Sequence, residues 1–328
     1  MKDRNAISRF SWSSISRRYS IYLVLFVLVA ISSFVNPNFL SGENLSNVAR
    51  QITVTTILAF GETLLIICGL IDLSSGSVLA LSGLLSVASY KASGSMAVAF
   101  AVAIGVALIC NLINALMVAK FAVPAFIATL AMQEMARGSA LLFTKGQNIY
   151  QIGDYTMVGQ GSVGFIPIPL FFLLAFVLMT SYMLNQTRFG RALYAIGGNQ
   201  EAARASGIGI DRNKVLAFAV NGLLVGVAGV LFMSRVNAGL PNGGIGYEMN
   251  GLTASIIGGT SFSGGAGTAG GTIVGALIVG FLNNILNLAN VNSYMQQIVR
   301  GAIIALAVIY DIWTKNRRTK SLVKDAAS

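Results

Sequence analysis

Three ionisable side chains fall inside long apolar stretches of the chain: Glu62, Glu134 and Arg137. A charge at that depth in hydrocarbon is costly and is usually paired or functional. Glu134 and Arg137 stand three residues apart, so a helix puts them on one face as a structural ion pair. Glu62 has no partner nearby in sequence; it reads either as a group facing a polar pathway or as a proton-coupling carboxylate. Asp72 lies where two apolar runs meet, and Asp72 or Ser74 is expected to cap the helix that follows. Histidine is absent, which removes imidazole metal sites, Ser–His triads and histidine switches. Cys68 and Cys110 both sit in apolar runs and read as small buried residues. No catalytic set and no metal site is expected.

The run from Gly258 to Gly271 is rich in glycine and contains GxGxxG at Gly265, Gly267 and Gly270. A dinucleotide site needs a preceding strand, a βαβ unit and an acidic residue about 20 positions on. Here an apolar span follows instead, so no cofactor is expected. No GxxxxGK[ST] loop occurs, so the chain does not cradle ATP phosphates itself. Its glycines instead suit close helix approach and unwound backbone lining a cavity. Small-xxx-small spacing at Gly222/Gly226 and Gly271/Gly275 agrees.

The elements that carry these residues follow from composition. Of 328 residues, 55% are hydrophobic and 10% charged, against about 25% charged in soluble domains. Such a chain cannot cover a soluble surface. It reads as an all-α polytopic membrane protein, not a cytosolic enzyme, a disordered chain or a nucleic-acid binder, despite a net charge of +11. The excess charge gathers in residues 1–18, 186–214 and 315–328, each beside an apolar span, and the positive-inside rule puts all three in the cytoplasm. The first span, preceded by basic residues and followed by further spans, is a signal anchor.

Runs able to cross about 30 Å of hydrocarbon lie near 20–35, 52–71, 73–90, 95–118, 123–143, 168–185, 214–234, 269–288 and 294–313. A weaker run covers 249–262. With both termini inside the count must be even, which makes 249–262 the tenth membrane-embedded helix, partial or re-entrant in form. The expected organisation is a basic cytoplasmic N-terminus (1–19), a transmembrane domain (20–314) with a cytoplasmic loop at 186–213, and a basic cytoplasmic tail (315–328). Asn36-Pro37, Pro124, Pro167 and Pro169 punctuate the spans. The polar stretch 144–167 is the longest external segment and a natural docking surface. Asn111/Asn114 and Asn284/Asn287 repeat one spacing on spans of opposite direction, as an inverted repeat would.

The stretch 197–209 is the most informative. Glu201, Ala202 and Ala203 precede Gly207 in a short amphipathic segment of the internal loop. It reads equally as a solvated loop helix or as a rigid knob for a cytoplasmic partner, closed by Gly207.

Glu201-Ala202-Ala203-x-x-x-Gly207 resembles the EAA–G coupling motif of bacterial ABC importer permeases, and 187–208 is similar to the ribose/xylose/galactose members in particular. The stretches starting Asp72-Leu-Ser-Ser-Gly-Ser, Phe126-Ile-Ala-Thr-Leu, Gly246-Tyr-Glu, Ile257-Gly-Gly-Thr-Ser-Phe and Asn283-Asn284-Ile-Leu match in the same order. Glu62 departs from the pattern, which carries an apolar or small residue there. The resemblance implies a permease subunit of the bacterial inner membrane that moves a monosaccharide. It also implies a second copy of the chain, a separate ATPase at the cytoplasmic face and a periplasmic sugar-binding protein outside. By the same analogy 199–208 is the coupling helix, with Glu201, Ala202, Ala203 and Gly207 as its residues. The path then needs only hydroxyl, amide and backbone groups that replace water; Asn111, Asn114, Thr260, Ser261, Asn284 and Asn287 are the candidates. Two rivals remain: a permease of the same superfamily for a branched-chain amino acid or nucleoside, and a self-contained ion-coupled carrier using Glu62 or Asp72.

Overall fold

A computed structural model describes residues 12–326, so the first eleven residues of the expected basic N-terminus lie outside the described residues. Helices dominate: α1 (Trp12–Val35), α2 (Gly42–Ile67), α3 (Ser75–Ser93), α4 (Met96–Ala119) and α5 (Ala125–Thr144) come first. A 3-10 turn (Gly153–Thr156), α6 (Met157–Gln160) and a two-residue hairpin, β1 (Ser162–Val163) with β2 (Ile166–Pro167), lead to α7 (Pro169–Gln186). Two amphipathic pieces, α8 (Arg188–Gly198) and α9 (Gln200–Ala205), precede α10 (Ile210–Val236), α11 (Tyr247–Ile257), α12 (Ala269–Leu288) and α13 (Ser293–Ala326). Ten of these helices fall on the ten expected runs. Among the described residues, α2, α4, α7, α10 and α12 are long and apolar enough, by length and composition, to cross a membrane. At 11 residues, α11 rises only about 16 Å and is therefore a partial helix, giving way to the glycine-rich run.

Helix starts use the side chains that physics favours. Ser41, Ser95, Thr187, Asn199 and Thr268 each accept a backbone N–H from the first turn of α2, α4, α8, α9 and α12. Pro169 opens α7, where its missing N–H costs nothing. At α3 the capping expectation divides: Ser74 makes no side-chain cap, whereas the Asp72 carboxylate accepts the Ser74 N–H at 2.7 Å.

Two long helices organise the bundle. Every residue of α2 from Ile52 to Ile67 is buried. α10 runs parallel to α3, placing Asn221 by Asp72 and Gly229 by Gly83, and antiparallel to α4, placing Gly222 by Leu108 and Gly226 by Ile104. α2 repeats this arrangement with the other half of the chain. It runs parallel to α11, with Gly251 against Ala59 and Ser255 against Thr63, and antiparallel to α12, with Thr63 against Thr272 and Ile52 against Gly280. α5 packs on α3 as α13 packs on α11. The packing therefore follows a twofold pattern between α2–α5 and α10–α13, the arrangement expected of a repeat. The asparagines do not carry it. Asn111 and Asn114 are fully enclosed, whereas Asn284 and Asn287 lie half-buried or exposed near the end of α12.

The stretch expected as an external docking surface is tied down at its centre. The Tyr155 carbonyl accepts the Ser234 hydroxyl at 2.6 Å, the Tyr155 hydroxyl meets Ser86, and Ile149 pairs with Gly239. Met157, Val163 and Phe165 stay exposed on its outer side.

Candidate functional site

The sequence candidates resolve into two places. The first is a polar knot where α3 and α11 begin inside the bundle. A Cβ on Gly76 would run into the Glu248 carboxylate and the Gly244 carbonyl, so the first turns of both helices share one spot. Their first N–H groups have no partners within the helix, and an acid stands at each start: Asp72 before α3 and Glu248 in the first turn of α11. Carboxylates are favoured at a helix N-terminus, all the more where water is absent.

Asp72 is wholly buried and saturated with donors. Its Oδ1 accepts the Ser74 N–H at 2.7 Å and the Ser74 hydroxyl at 2.5 Å. Its Oδ2 accepts Asn221 Nδ2 at 2.7 Å and lies 3.1 Å from the Ser75 hydroxyl. Asn221 also donates to Asn111 Oδ1 at 3.0 Å, and Asn114 donates to the Ser74 hydroxyl at 3.1 Å. The knot thus joins α3, α4 and α10. Asn111 and Asn114, expected to line a pathway, are instead packed acceptors and donors of this knot with no exposed surface.

Glu62 is also fully buried, and its Oε1 lies 3.0 Å from the same Ser75 hydroxyl. One hydroxyl hydrogen cannot serve two carboxylate oxygens. Asp72 already receives three other donors, whereas Glu62 has only this hydroxyl and the Asp72 N–H at 3.5 Å, so the Ser75 hydrogen goes to Glu62. Glu62→Gln keeps an amide oxygen that accepts from Ser75 and is expected to leave the unfolding midpoint in detergent close to that of the parent. Glu62→Leu removes that acceptor and lowers it. A Gln variant as unstable as the Leu variant would show that the site does not depend on an acceptor at position 62.

The expected ion pair does not form. Glu134 is exposed on the outside of α5, whereas Arg137 turns inward and donates through Nη1 to the carbonyls of Pro241 (2.6 Å) and Gly243 (2.8 Å). The reason is competition: in a connection bent by left-handed Asn237, Gly244 and Gly246, the buried carbonyls of Pro241 and Gly243 are left to claim the guanidinium.

The second place is the α8–α9 segment. Asn199 Oδ1 accepts the Ala202 N–H at 3.0 Å and starts α9. Glu201, Ala202, Arg204 and Ala205 are exposed, and Ala203 alone turns into the bundle. Gly207 ends the helix at φ +79°, a left-handed conformation that a Cβ disfavours. The result is a short, capped, convex knob with small residues at its tip.

The remaining candidates do not assemble into one chamber. Asn284 and Asn44 exchange amide hydrogen bonds of 2.8 and 3.0 Å between α12 and α2. Asn287 accepts from Gln296 at 2.9 Å and borders an open depression of about 540 Å³ lined also by Asn290, Asn292 and Tyr294. Thr260 is buried with its hydroxyl unpartnered, and Ser261 folds the glycine-rich turn through its N–H to Ala266. Asn221 and Glu248 were missed by sequence reasoning. Each is a polar group within or at the edge of an apolar run, which was the available signal.

An all-helical, membrane-embedded permease core with a presented knob is the class this architecture defines. The comparisons agree. A family model described as "Branched-chain amino acid transport system / permease component" matches residues 44–308, and the chain belongs to this family. The ribose import permease protein RbsC of Escherichia coli K12 is 41% identical over 296 residues, covering 88% of this chain and 92% of that protein. RbsC of Bacillus subtilis is 39% identical, with 92% and 95% covered. The L-arabinose transport system permease protein AraH of E. coli K12 is 33% identical, with 95% and 96% covered. No solved structure matches the chain.

Proposed function

We propose that the chain is the membrane permease subunit of an ABC importer that carries a monosaccharide of the pentose class across the bacterial inner membrane. The observation that carries this reading is likeness to ribose and arabinose permeases over nearly the full length of both chains. The family description names branched-chain amino acids, which keeps that solute as the second reading; the sugar permeases match more of the chain. A separate ATPase binds the cytoplasmic face and a periplasmic sugar-binding protein docks outside. Two copies of the chain form the assembly. Both termini and the 186–213 loop face the cytoplasm, so α9 is the coupling helix and Glu201, Ala202, Ala203 and Gly207 seat it in a cleft of the ATPase.

Sugar passage in this reading uses groups that replace water briefly, since affinity belongs to the binding protein. Asn284 and Asn287 border such a route; Thr260 and Ser261 lie at its inner end. Glu201→Lys puts a cation at the start of α9, and Gly207→Val cannot take the left-handed turn. Both variants are expected to reach the membrane at parental levels and to lose ATP-dependent uptake of labelled ribose. Uptake of leucine but not ribose by the parent assembly would favour the second reading, and undiminished uptake by both variants would remove the coupling role.

A further inference from the structure

The glycine-rich run enters the function proposed above only through Thr260 and Ser261, yet it is one of the places where the α8–α9 segment meets the bundle. α8 ends in two glycines that sequence does not tell apart. A Cβ on Gly197 would run into the carbonyl oxygen of Ile67 and lie 2.6 Å from the amide nitrogen of Gly265, whereas a Cβ on Gly198 would meet nothing within 4 Å. Gly265 donates its N–H to Ile67 O at 2.9 Å, and the Tyr194 hydroxyl donates to Gly267 O at 2.8 Å. Gly264 and Gly265 hold left-handed turns (φ +83° and +75°) that press their backbone on Gly197 and Gly198. Ser261 closes the turn at both ends, donating to Ala266 O and accepting from Gly264 N, each at 2.9 Å.

Three helices converge on this point. Ile67 is the last residue of α2, α11 runs into the loop, and α12 leaves it under the Thr268 cap. A Cβ on Gly271 would strike Gly258 O, so the starts of loop and helix are in backbone contact as well. Backbone packed on backbone has no rotamer to yield, and close-packed interiors transmit displacement.

We propose that α8 and the 258–268 loop form a rigid joint that carries movement of α9 to α2, α11 and α12 together, with Gly197 and Tyr194 as positioning residues. The proposal rests on the coupling reading of α9. It explains why the loop is glycine: the joint tolerates no side chain at its centre.

The test uses the permease assembled with its ATPase and binding protein in proteoliposomes, counting labelled ribose delivered per ATP hydrolysed. Gly197→Ala is expected to lower that ratio about tenfold, within the range of coupling between sites, while ATPase binding stays parental. Gly198→Ala is expected to leave it unchanged, although both substitutions bring the same gain in helix propensity. Tyr194→Phe, which removes one hydrogen bond, lowers it about threefold on the same scale. A parental ratio in Gly197→Ala, or equal damage in Gly198→Ala, overturns the joint. If Gly197→Ala does not reach the membrane, a parental ratio in Tyr194→Phe overturns it. Failure of the coupling reading would look different, since Glu201→Lys would then retain ribose uptake.

Discussion

Replacing Asp72 by leucine is expected to be among the most damaging single changes in the chain. The side chain has no exposed surface, and three donors, Ser74 N–H, the Ser74 hydroxyl and Asn221 Nδ2, converge on it within 2.7 Å. Leucine fills the space and leaves every one of them unmatched in a dry interior. Each buried donor left without an acceptor costs about 1–3 kcal/mol, so three of them are a large share of the roughly 5–15 kcal/mol that holds a domain together. Asp72→Asn is the informative contrast. Its Oδ1 can still accept both Ser74 donors, and Asn221, whose Oδ1 has no partner, can turn its amide to receive the new N–H at the expense of its bond to Asn111 Oδ1. The Asn variant should therefore lose about 1–2 kcal/mol, the scale of a weakened hydrogen bond. Unfolding in detergent followed by circular dichroism separates the two. Equal midpoints for Leu and Asn would mean that the donors around Asp72 are not what the site depends on.

Much of the fold was legible before any coordinates because its signals are local. Apolar runs long enough to span, Ser and Thr ahead of them, and Pro124 and Pro169 at their starts fix helices to within a few residues. Even the partial nature of α11 follows, since Gly258 and Gly259 interrupt its run on one side and Gly246 on the other. The repeat was less legible. It lives in which helix lies parallel to which, and the two asparagine pairs that hinted at it turn out to occupy different environments.

The polar knot was not legible, and the reason is separation along the chain. Asp72 meets Asn221 across 149 positions, and Asn114 meets Ser74 across 40. Each residue taken alone reads as a cap or as a path-lining amide; only the packing of α3 and α4 along α10 makes them one cluster. Gly197 and Gly198 illustrate the same limit at one residue's range: neighbours of one type, of which one faces backbone and the other faces open space. The knob of α9 is the converse case, because caps, small residues and a terminal glycine all lie within nine positions.

Glu134 and Arg137 allow the sharpest separation of sequence logic from tertiary structure, since spacing alone makes them partners and the structure turns them apart. If Arg137 serves the carbonyls of Pro241 and Gly243, Arg137→Met leaves two buried backbone acceptors without that donor. Hydrogen bonds to charged groups contribute about 1.5–3 kcal/mol each, so the variant should lose about 3–5 kcal/mol. Protease cleavage should then appear in the 237–246 connection, which depends on that guanidinium. Arg137→Lys can reach one carbonyl as a point donor and should recover roughly half of the loss on the same scale. Glu134→Gln, at an exposed position that makes none of these contacts, should stay within about 0.5 kcal/mol of the parent. The ion-pair account predicts the opposite ordering, with Glu134→Gln and Arg137→Met equally harmful because each removes one half of the same interaction. Unfolding midpoints of the four chains in one detergent, with limited proteolysis of the same samples, decide between them.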